Sequence, residues 1–498
     1  MASEIKYAIE SSSEAAKKIF DFFHEELFPN NPPEVLEETI FADLNELFSQ
    51  KLINDLNCFI EYPYVDRIYR DSYYSYYSSK HYPYKRDCIR VSLFEGEVTI
   101  LDFVNPKNHN SLQEKYLGYF IIRPLPNSIF GRSIVNPRAF KSNNMKICFT
   151  HSNASVFGAK LSTIGFPHSA QDEETISCAE TTIWALMEYF STKYPDYHPT
   201  LPSKIHKTLE SISFERQLPS NGLTMDEISF ALKKYGFGPR IYSSQFDDLE
   251  ALTQVYLDSG IPIVLGLKNN EGDGHATLAI GKRYNTIDFE KINPRSLRID
   301  DTEEVNYFDS ADFKDYIVVQ DDNLFPYEVI SFDKPGEHYP EGSHGKEYHI
   351  ESIIVPLYPK IYLEAYLAKE LTKQIITDSE IGTELEDDFI LRFYLTSSRS
   401  FKNHIVSLEH MGDDSKFDII SIKMPKFIWC AEFYNKDSYL DKQEAFSLIL
   451  LDATEADYEN FDALIFAGYE DRCLFMSDGE LNELQYEFKN YSYFSNLK

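Results

Sequence analysis

The chain has 498 residues, which predicts about three domains at roughly 150 residues per domain. Its 48 basic and 80 acidic side chains give a formal net charge of −32, which argues against nucleic acid and anionic membrane surfaces as partners. Hydrophobic residues make up 43% of the chain, so we expect folded domains rather than disorder.

The beginning of the chain does not have the pattern of a secretory signal, because Glu4 is acidic and no long apolar core follows. No run approaches the ~18 apolar residues of a membrane span. The six cysteines are scattered, with neither CxxC pairs nor the spacing of metal ligands. We therefore expect a cytoplasmic protein with reduced thiols, no metal and no other cofactor.

Hydrophobic patterning divides the chain into four segments. Residues 1–55 predict N-terminal helices, and residues 56–155 predict a strand-rich domain. Residues 156–335 alternate helical and strand-like stretches, and the candidate catalytic residues lie there. Residues 345–498 predict a mixed α+β C-terminal domain.

Cys178 is the candidate nucleophile. Apolar residues follow it at helical spacing up to Phe190, and Pro195 predicts the end of the helix near Tyr194. Cys178 would then lie in the first turn, where free N–H groups and the helix dipole favour a thiolate.

His275 is the candidate acid and base, and Asp321 is the candidate that orients it. His275 precedes the strand-like run at 276–280, which places it at the end of a strand. A histidine at a strand end can accept a proton from a thiol that the fold brings beside it. Asp321 follows a buried strand and could fix the imidazole tautomer, with Asp322 and Asn323 as alternatives because neighbouring strand residues point to opposite sides.

Gln171, seven residues before Cys178, could donate its side-chain amide to a developing oxyanion together with the Cys178 backbone N–H. A further helix is predicted between the cysteine and the histidine. Thr224 and Glu227 have the spacing of a capping box, and Tyr235-Gly236 closes this helix.

The order Gln, Cys, His and Asp on these elements resembles the papain-like cysteine peptidases. Within them, residues 171–321 are most similar to the bacteriocin-leader-processing (double-glycine) peptidases, which have a similar helix ending in Tyr-Gly. The resemblance implies an α+β fold whose papain-like core spans 156–335. In such a core the helix bearing Cys178 packs on an antiparallel sheet bearing His275, and mixed α/β domains flank it.

By the same resemblance, the protein is a bacterial thiol hydrolase that cleaves peptide or amide bonds through a thioester. Cys178 would be the nucleophile, His275 the general acid and base, Asp321 the orienting residue and Gln171 the oxyanion donor. Deamidation and acyl transfer use the same residues. We expect a peptide or protein substrate and, as a further hypothesis, a regulatory protein partner that relieves latency. The alternative is an inactive papain-fold scaffold or sensor.

Three further patterns predict ligand contacts. Residues 284–323 hold 11 acidic and 4 basic side chains, which would favour basic substrates if this insertion lies at the rim of the active site. The His- and Glu-rich loop at 337–349 is an alternative metal site. Arg392 and residues 397–402 are an alternative anion site at a helix start.

Overall fold

The computed structural model describes residues 4–28, 34–125, 128–172, 174–213, 218–220, 222–299, 303–442, 444–456, 461–477, 479–484 and 488–498. The fold is mixed α/β, with 32% helix and 31% strand, and it contains several antiparallel sheets. Among the described helices, none combines the length and the hydropathy that crossing a bilayer requires.

The N-terminal part is built on a five-stranded antiparallel sheet whose strands lie side by side in chain order. Its elements are β1 Lys6–Ser11, α1 Ser12–Phe22, α2 Glu34–Glu46, β2 Leu56–Tyr64, α3 Arg67–Ser75, β3 Cys88–Glu95, α4 Ile100–Val104, α5 His109–Lys115, β4 Tyr116–Ile122 and β5 Phe130–Val135. The two long helices predicted within 1–55 are present, but the strand β1 precedes them and forms one edge of the sheet.

The central part contains the candidate catalytic residues. Its elements are β6 Lys146–Ile147, β7 Thr150–Val156, β8 Ala159–Gly165, α6 Cys178–Lys193, α7 Pro202–Leu209, α8 Met225–Lys234, β9 Gly238–Ser243, α9 Leu249–Asp258, β10 Ile263–Lys268, β11 Gly274–Arg283, β12 Arg295–Arg298, β13 Glu304–Asp309, β14 Tyr316–Gln320, β15 Glu328–Ile330 and β16 His349–Leu357. The central sheet has the order β15-β14-β11-β10-β16-β9, and β6 pairs with the end of β11.

The C-terminal part contains an eight-stranded sheet. Its elements are α10 Ala365–Thr377, β17 Phe389–Ser397, α11 Ser398–Ser407, α12 Asp413–Ser421, β18 Phe427–Tyr434, α13 Lys436–Leu440, β19 Ser447–Asp452, β20 Leu464–Gly468, β21 Cys473–Ser477 and β22 Glu480–Leu484. Strands β12 and β13 extend this sheet, and β13 pairs in parallel with β17.

The central sheet is buried on both faces, because alternate residues of its strands face different hydrophobic cores. Val264 packs into the core that includes α6, whereas its neighbours Ile263 and Leu265 pack into the core that includes α9 and α10. This explains why β10 reads as a continuous apolar run.

Two strands lie in sheets other than those that the predicted boundaries imply. β16 lies beyond the predicted boundary at 345, yet it pairs with β10 and β9 inside the central sheet. β13 lies within 156–335 but belongs to the C-terminal sheet. The central and C-terminal parts therefore exchange strands across the boundary.

Candidate active site

Cys178 is the first residue of α6, as the pattern predicts. The helix start is fixed by Ser177, whose backbone N–H donates to Glu180 Oε2 at 3.2 Å and whose hydroxyl also contacts Glu180. Every residue from Ala179 to Phe190 is buried, so other parts of the protein pack around most of the helix surface. Cys178 itself is partly exposed, whereas the other five cysteines are buried.

The central sheet brings His275 and Asp321 together. Antiparallel pairing of β11 with β14 sets Leu278 opposite Gln320, so the start of β11 lies beside the end of β14. His275 Nε2 is 3.0 Å from Asp321 Oδ1, and the Cys178 side chain is near enough to raise the pKa of the imidazole. With Nε2–H donated to Asp321, Nδ1 is the nitrogen that can exchange a proton with the thiol.

Asp321 is completely buried, and its carboxylate accepts several hydrogen bonds. Besides His275, the Asn323 backbone N–H donates to Oδ1 at 3.1 Å, the Tyr339 hydroxyl donates to Oδ2 at 2.6 Å, and His338 Nε2 lies 3.4 Å from Oδ2. Burial alone would raise the pKa of Asp321, but the charge and hydrogen bond of His275, with those from His338 and Tyr339, hold it well below its ordinary value.

The pKa of His275 moves in the opposite direction for the same reason. Burial alone would lower it, but the Asp321 carboxylate and the Cys178 side chain raise it well above its ordinary value. The arrangement therefore favours an imidazolium beside the Asp321 carboxylate, and an imidazolium paired with a thiolate is the state in which a cysteine acts as a nucleophile.

Asp322 is a second buried carboxyl beside the histidine. Its Oδ1 lies 3.8 Å from His275 Nε2, and neither carboxyl oxygen has a well-aligned hydrogen bond from a described residue. Burial and, to a smaller extent, the Asp321 charge raise the pKa of Asp322 to about 7, against the opposing effect of His275. Of the two aspartates, Asp321 thus holds the short hydrogen bond to the imidazole.

Gln171 lies at the site, but its amide contacts Asn323. Gln171 Nε2 donates to Asn323 Oδ1, and Asn323 Nδ2 in turn lies 3.4 Å from His275 Nε2. The third candidate for orienting the histidine therefore contacts both Gln171 and the imidazole, but its Nδ2 is a donor and cannot bond to an Nε2 that carries a proton. The Gln171 backbone N–H also donates to the Asp322 carbonyl at 3.3 Å, which holds this loop against the end of β14.

Aromatic side chains that the sequence patterns did not single out cover the histidine. The Tyr348 ring stacks on the His275 ring at a centroid distance of 5.7 Å and an angle of 19°, and Tyr339 packs edge-on against Tyr348 at 5.9 Å. A Cβ at Gly345 would lie 2.7 Å from the Tyr339 ring, so glycine is what allows this close approach. The sequence signal for this contact is the occurrence of Gly345 and Tyr339 in the same loop.

The same loop was the alternative metal site, and the structure separates its histidines. His338 contacts Asp321, while His344 Nδ1 pairs with Glu271 Oε2 at 3.1 Å. Among the described residues, two groups bring three ligand atoms within 4.8 Å: Glu271, Asp273 and His344, which are exposed, and His275, Asp321 and Asp322. In the second group Asp321 already accepts hydrogen bonds from His275 and Tyr339, so a metal ion would compete with these contacts.

The alternative anion site at the start of α11 is also not assembled. Arg392 is buried and pairs with Glu432 at 2.7 Å. Lys402 donates to the carbonyls of Ile420 and Ile422, both at 2.7 Å. These internal contacts engage two of the predicted cations, so the cluster does not converge on an anion at that position.

An open cleft of about 790 Å³ runs along Cys178 and His275. Its walls are formed by residues 222–228, 243–245, 266–268 and 274–276, together with Cys178, Gly272, Glu351 and Ser352. The predicted capping box is present at one wall, where the Thr224 backbone N–H donates to Glu227 Oε2 at 2.8 Å. At the floor, a Cβ at Gly266 would lie 2.8 Å from the Met225 sulfur.

The part of the acidic insertion that precedes β14 does not line this cleft in its described residues, 284–299 and 303–315, which corrects the expectation from its sequence position. It joins the end of β11 to the start of β14, whereas His275 and Asp321 lie at the opposite ends of these strands. Eight residue steps of ~3.3 Å separate His275 from Arg283, on the order of 25 Å. The insertion instead supplies β12 and β13 to the C-terminal sheet.

No protein-family model matches the chain, and a comparison with curated proteins finds no significant match. The resemblance to papain-like peptidases therefore depends on residues 171–321 and on the arrangement of their side chains.

Proposed function

We propose that the protein is a papain-like thiol hydrolase that cleaves peptide or amide bonds. The observation that carries this proposal is the position of the His275 imidazole, which lies between the buried Asp321 carboxylate at 3.0 Å and the partly exposed Cys178 side chain. Cys178 and His275 line an open cleft, where a substrate carbonyl can reach the sulfur, and Asp321 is buried behind the imidazole.

The reaction follows from these positions. The Cys178 thiolate attacks the carbonyl carbon, and the charge that develops on oxygen is stabilised by the free N–H groups at the start of α6. Gln171 would act as the side-chain donor only after its amide leaves Asn323 Oδ1. His275 then gives its proton to the leaving amine, and a thioester forms. Water that loses a proton to His275 hydrolyses the thioester, and the acid product leaves.

The papain-like core belongs to this proposal. Its support is that α6, which bears the cysteine, packs on the antiparallel strand that bears the histidine. The Thr182 hydroxyl donates to the Ala276 carbonyl at 3.5 Å, and buried residues of α6 and β11 share one core. Deamidation and acyl transfer need the same residues and differ in the bond cleaved or the acceptor used.

The cleft favours a peptide with a basic side chain. Its charged lining residues are Asp226, Glu227 and Glu351 against Lys268, and Lys268 pairs with Glu351 at 2.8 Å. The carboxylates of Asp226 and Glu227 exceed the number of lysine and arginine side chains in the described lining, and they would attract a lysine or arginine of the substrate. All described lining residues lie between 178 and 352, so none belongs to the segments 1–150 or 360–498.

The experiment that tests the nucleophile is the pH dependence of alkylation by iodoacetamide, located by mass spectrometry. Exposure alone would make Cys178 the most reactive cysteine, so the control is His275→Ala, which keeps the thiol exposed and removes the base. We expect fast alkylation of the unaltered protein at pH 6. An isolated thiol of pKa about 8.5 is only ~0.3% thiolate there, so the variant should react about 10- to 100-fold more slowly.

A rate in the unaltered protein that rises with pH just as it does in His275→Ala would refute the ion pair. Turnover is tested in parallel with a mixture of peptides that carry lysine or arginine at each position, with Cys178→Ala as the inactive control. A reactive Cys178 that cleaves none of these peptides and no cellular protein would instead favour the scaffold or sensor.

A further inference from the structure

A second pocket, here called the aromatic pocket, lies between the end of α6 and helix α11. Its volume is about 500 Å³, which is within the range of sites for small organic molecules. Its 23 described lining residues come mainly from the end of α6, the segment after β16, the end of β17, α11 and residues 493–498. None of them also lines the cleft as the structure describes it.

One wall of the aromatic pocket is apolar and rigid. Phe190 and Tyr194 stack at a centroid distance of 6.0 Å and an angle of 25°, and Tyr358 and Phe427 pack at 5.2 Å. These rings come from the end of α6, from the segment after β16 and from β18, so they are fixed by three separate parts of the fold. A planar or aliphatic body would find a preformed apolar surface here.

The opposite wall is polar but uncharged. Ser400, Asn403, His404 and Ser407 follow one another at helical spacing and form one face of α11. His404 Nε2 lies 2.8 Å from the Ser492 carbonyl, which can only accept a hydrogen bond. Burial lowers the pKa of His404, so the ring is neutral at pH 7.

The described lining of the aromatic pocket carries positive side chains, whereas the protein as a whole has a net negative charge. Of 498 residues, 80 are acidic, a frequency that would put about four carboxylates among 23 lining residues, yet the described lining contains no aspartate or glutamate. Lys193 and Lys498 do line it, and burial and, to a smaller extent, the charge of Lys498 lower the pKa of Lys193 against the opposing effect of Cys148. Neither lysine forms an ion pair with a carboxylate side chain among the described residues, and Lys193 Nζ donates to the Tyr189 hydroxyl at 2.8 Å.

We propose that the aromatic pocket binds a small amphipathic organic anion, with an aromatic or aliphatic body and one carboxylate or sulfonate group. The body lies against the aromatic wall, and the anionic group lies between Lys193 and Lys498, where it relieves the repulsion between two ammonium groups. This binding does not depend on the proposed hydrolase activity, because the aromatic pocket and the cleft are separate.

The test uses two fluorescent probes that differ by one charge: anilinonaphthalene sulfonate and the neutral phenylnaphthylamine, which has the same ring system without the sulfonate. We expect saturable binding of the anion at one site per chain, and binding of the neutral probe about tenfold weaker. Lys193→Gln should weaken the anion to the level of the neutral probe and leave the neutral probe unchanged. Lys207→Gln, an exposed lysine on α7, is the matched control and should change neither affinity.

A second pair of variants places the binding in the aromatic pocket. Asn403→Trp fills the space from an exposed position of α11 and should abolish binding of both probes, while Asn403→Ala should retain it. Circular dichroism and thermal unfolding of each variant establish that it is folded. Equal affinity for the two probes, absence of saturable binding, or anion binding that survives both Lys193→Gln and Asn403→Trp would overturn the proposal.

Discussion

Replacing Asp321 with asparagine removes the charge opposite His275 and leaves the shape of the side chain nearly unchanged. Two unit charges 3.0 Å apart interact by about 5.5 kcal/mol at an effective dielectric constant of 20, which corresponds to about 4 pKa units of the imidazole. This value is a ceiling for the substitution, because the asparagine oxygen can still accept the His275 N–H.

Asp322 should compensate for part of that loss. It lies 3.8 Å from His275 Nε2, where the same expression gives about 4.4 kcal/mol. The Asp321 charge is one cause that raises the pKa of Asp322, so removing that charge makes Asp322 easier to ionise. We therefore expect a modest effect of Asp321→Asn and a much larger effect when Asp322→Asn is added.

The measurement is the pH profile of Cys178 alkylation. When the imidazolium is less stable, the proton shared by the pair moves back to sulfur, and the rate near neutral pH falls. A second rise should then appear toward the ordinary thiol pKa of about 8.5. We expect a decrease of about tenfold at pH 6 for the single variant and about 100-fold for the double variant.

Asp226→Asn is the control for this series, because it removes a negative charge from the cleft wall and not from the imidazole. It should leave the profile unchanged. The reasoning is refuted if the double variant keeps the profile of the unaltered protein, or if Asp226→Asn lowers the rate as much as Asp321→Asn does.

Three further predictions concern the surroundings of Cys178, His275 and Asp321. Because the folded protein holds the Asp322 proton up to about pH 7 while the unfolded chain releases it near pH 4, this group lowers stability as pH rises through that window, by up to about 4 kcal/mol. Urea unfolding at pH 4.5 and 7.5 should therefore show a smaller decrease in Asp322→Asn than in the unaltered protein. Tyr339→Phe removes a hydrogen bond to the Asp321 carboxylate and should lower the free energy of unfolding by about 1.5–3 kcal/mol in the same assay. Glu290→Gln with Glu304→Gln, both in the acidic insertion, should change kcat/KM for a basic peptide less than twofold; a larger change would place the insertion within electrostatic reach of the cleft.

The residues predicted from the sequence are those that local rules govern. The start of α6 at Cys178 follows from Ser177 and Glu180, which satisfy the first free N–H groups of the helix. The capping box of α8 follows the same rule and is also present. Local rules do not distinguish Asp321 from Asp322. Neighbouring residues of a strand face opposite sides, but this alternation does not tell which side faces the histidine.

The features that the sequence did not predict depend on contacts between distant segments. The cover over His275 comes from Tyr348, 73 positions along the chain, and no periodic pattern links the two residues. The sequence likewise did not predict which sheet the acidic insertion joins, because the pairing of β13 with β17 connects residues about 80 positions apart. The charge of the insertion was visible in the sequence, but its distance from the active site was not.

The segment 1–150 contributes to the position of the candidate catalytic residues. Arg123 donates to the Gln171 carbonyl at 3.1 Å and so holds the loop before the nucleophile. A loss of activity after removal of this segment would therefore report damage to the site. Such a truncation cannot by itself reveal a partner that relieves latency.

The exchange of strands between the central and C-terminal parts limits truncation from the other end. A chain that ends at 344 lacks β16, which lies between β10 and β9, and it leaves β13 without its partner β17. We expect such a chain to show no cooperative unfolding transition in urea, because the gap would leave β10 with an open edge and would detach β9 from the sheet. A cooperative transition of the chain 1–344 would contradict this argument. Because either truncation disturbs the site itself, regulation by a partner must be sought in the intact chain.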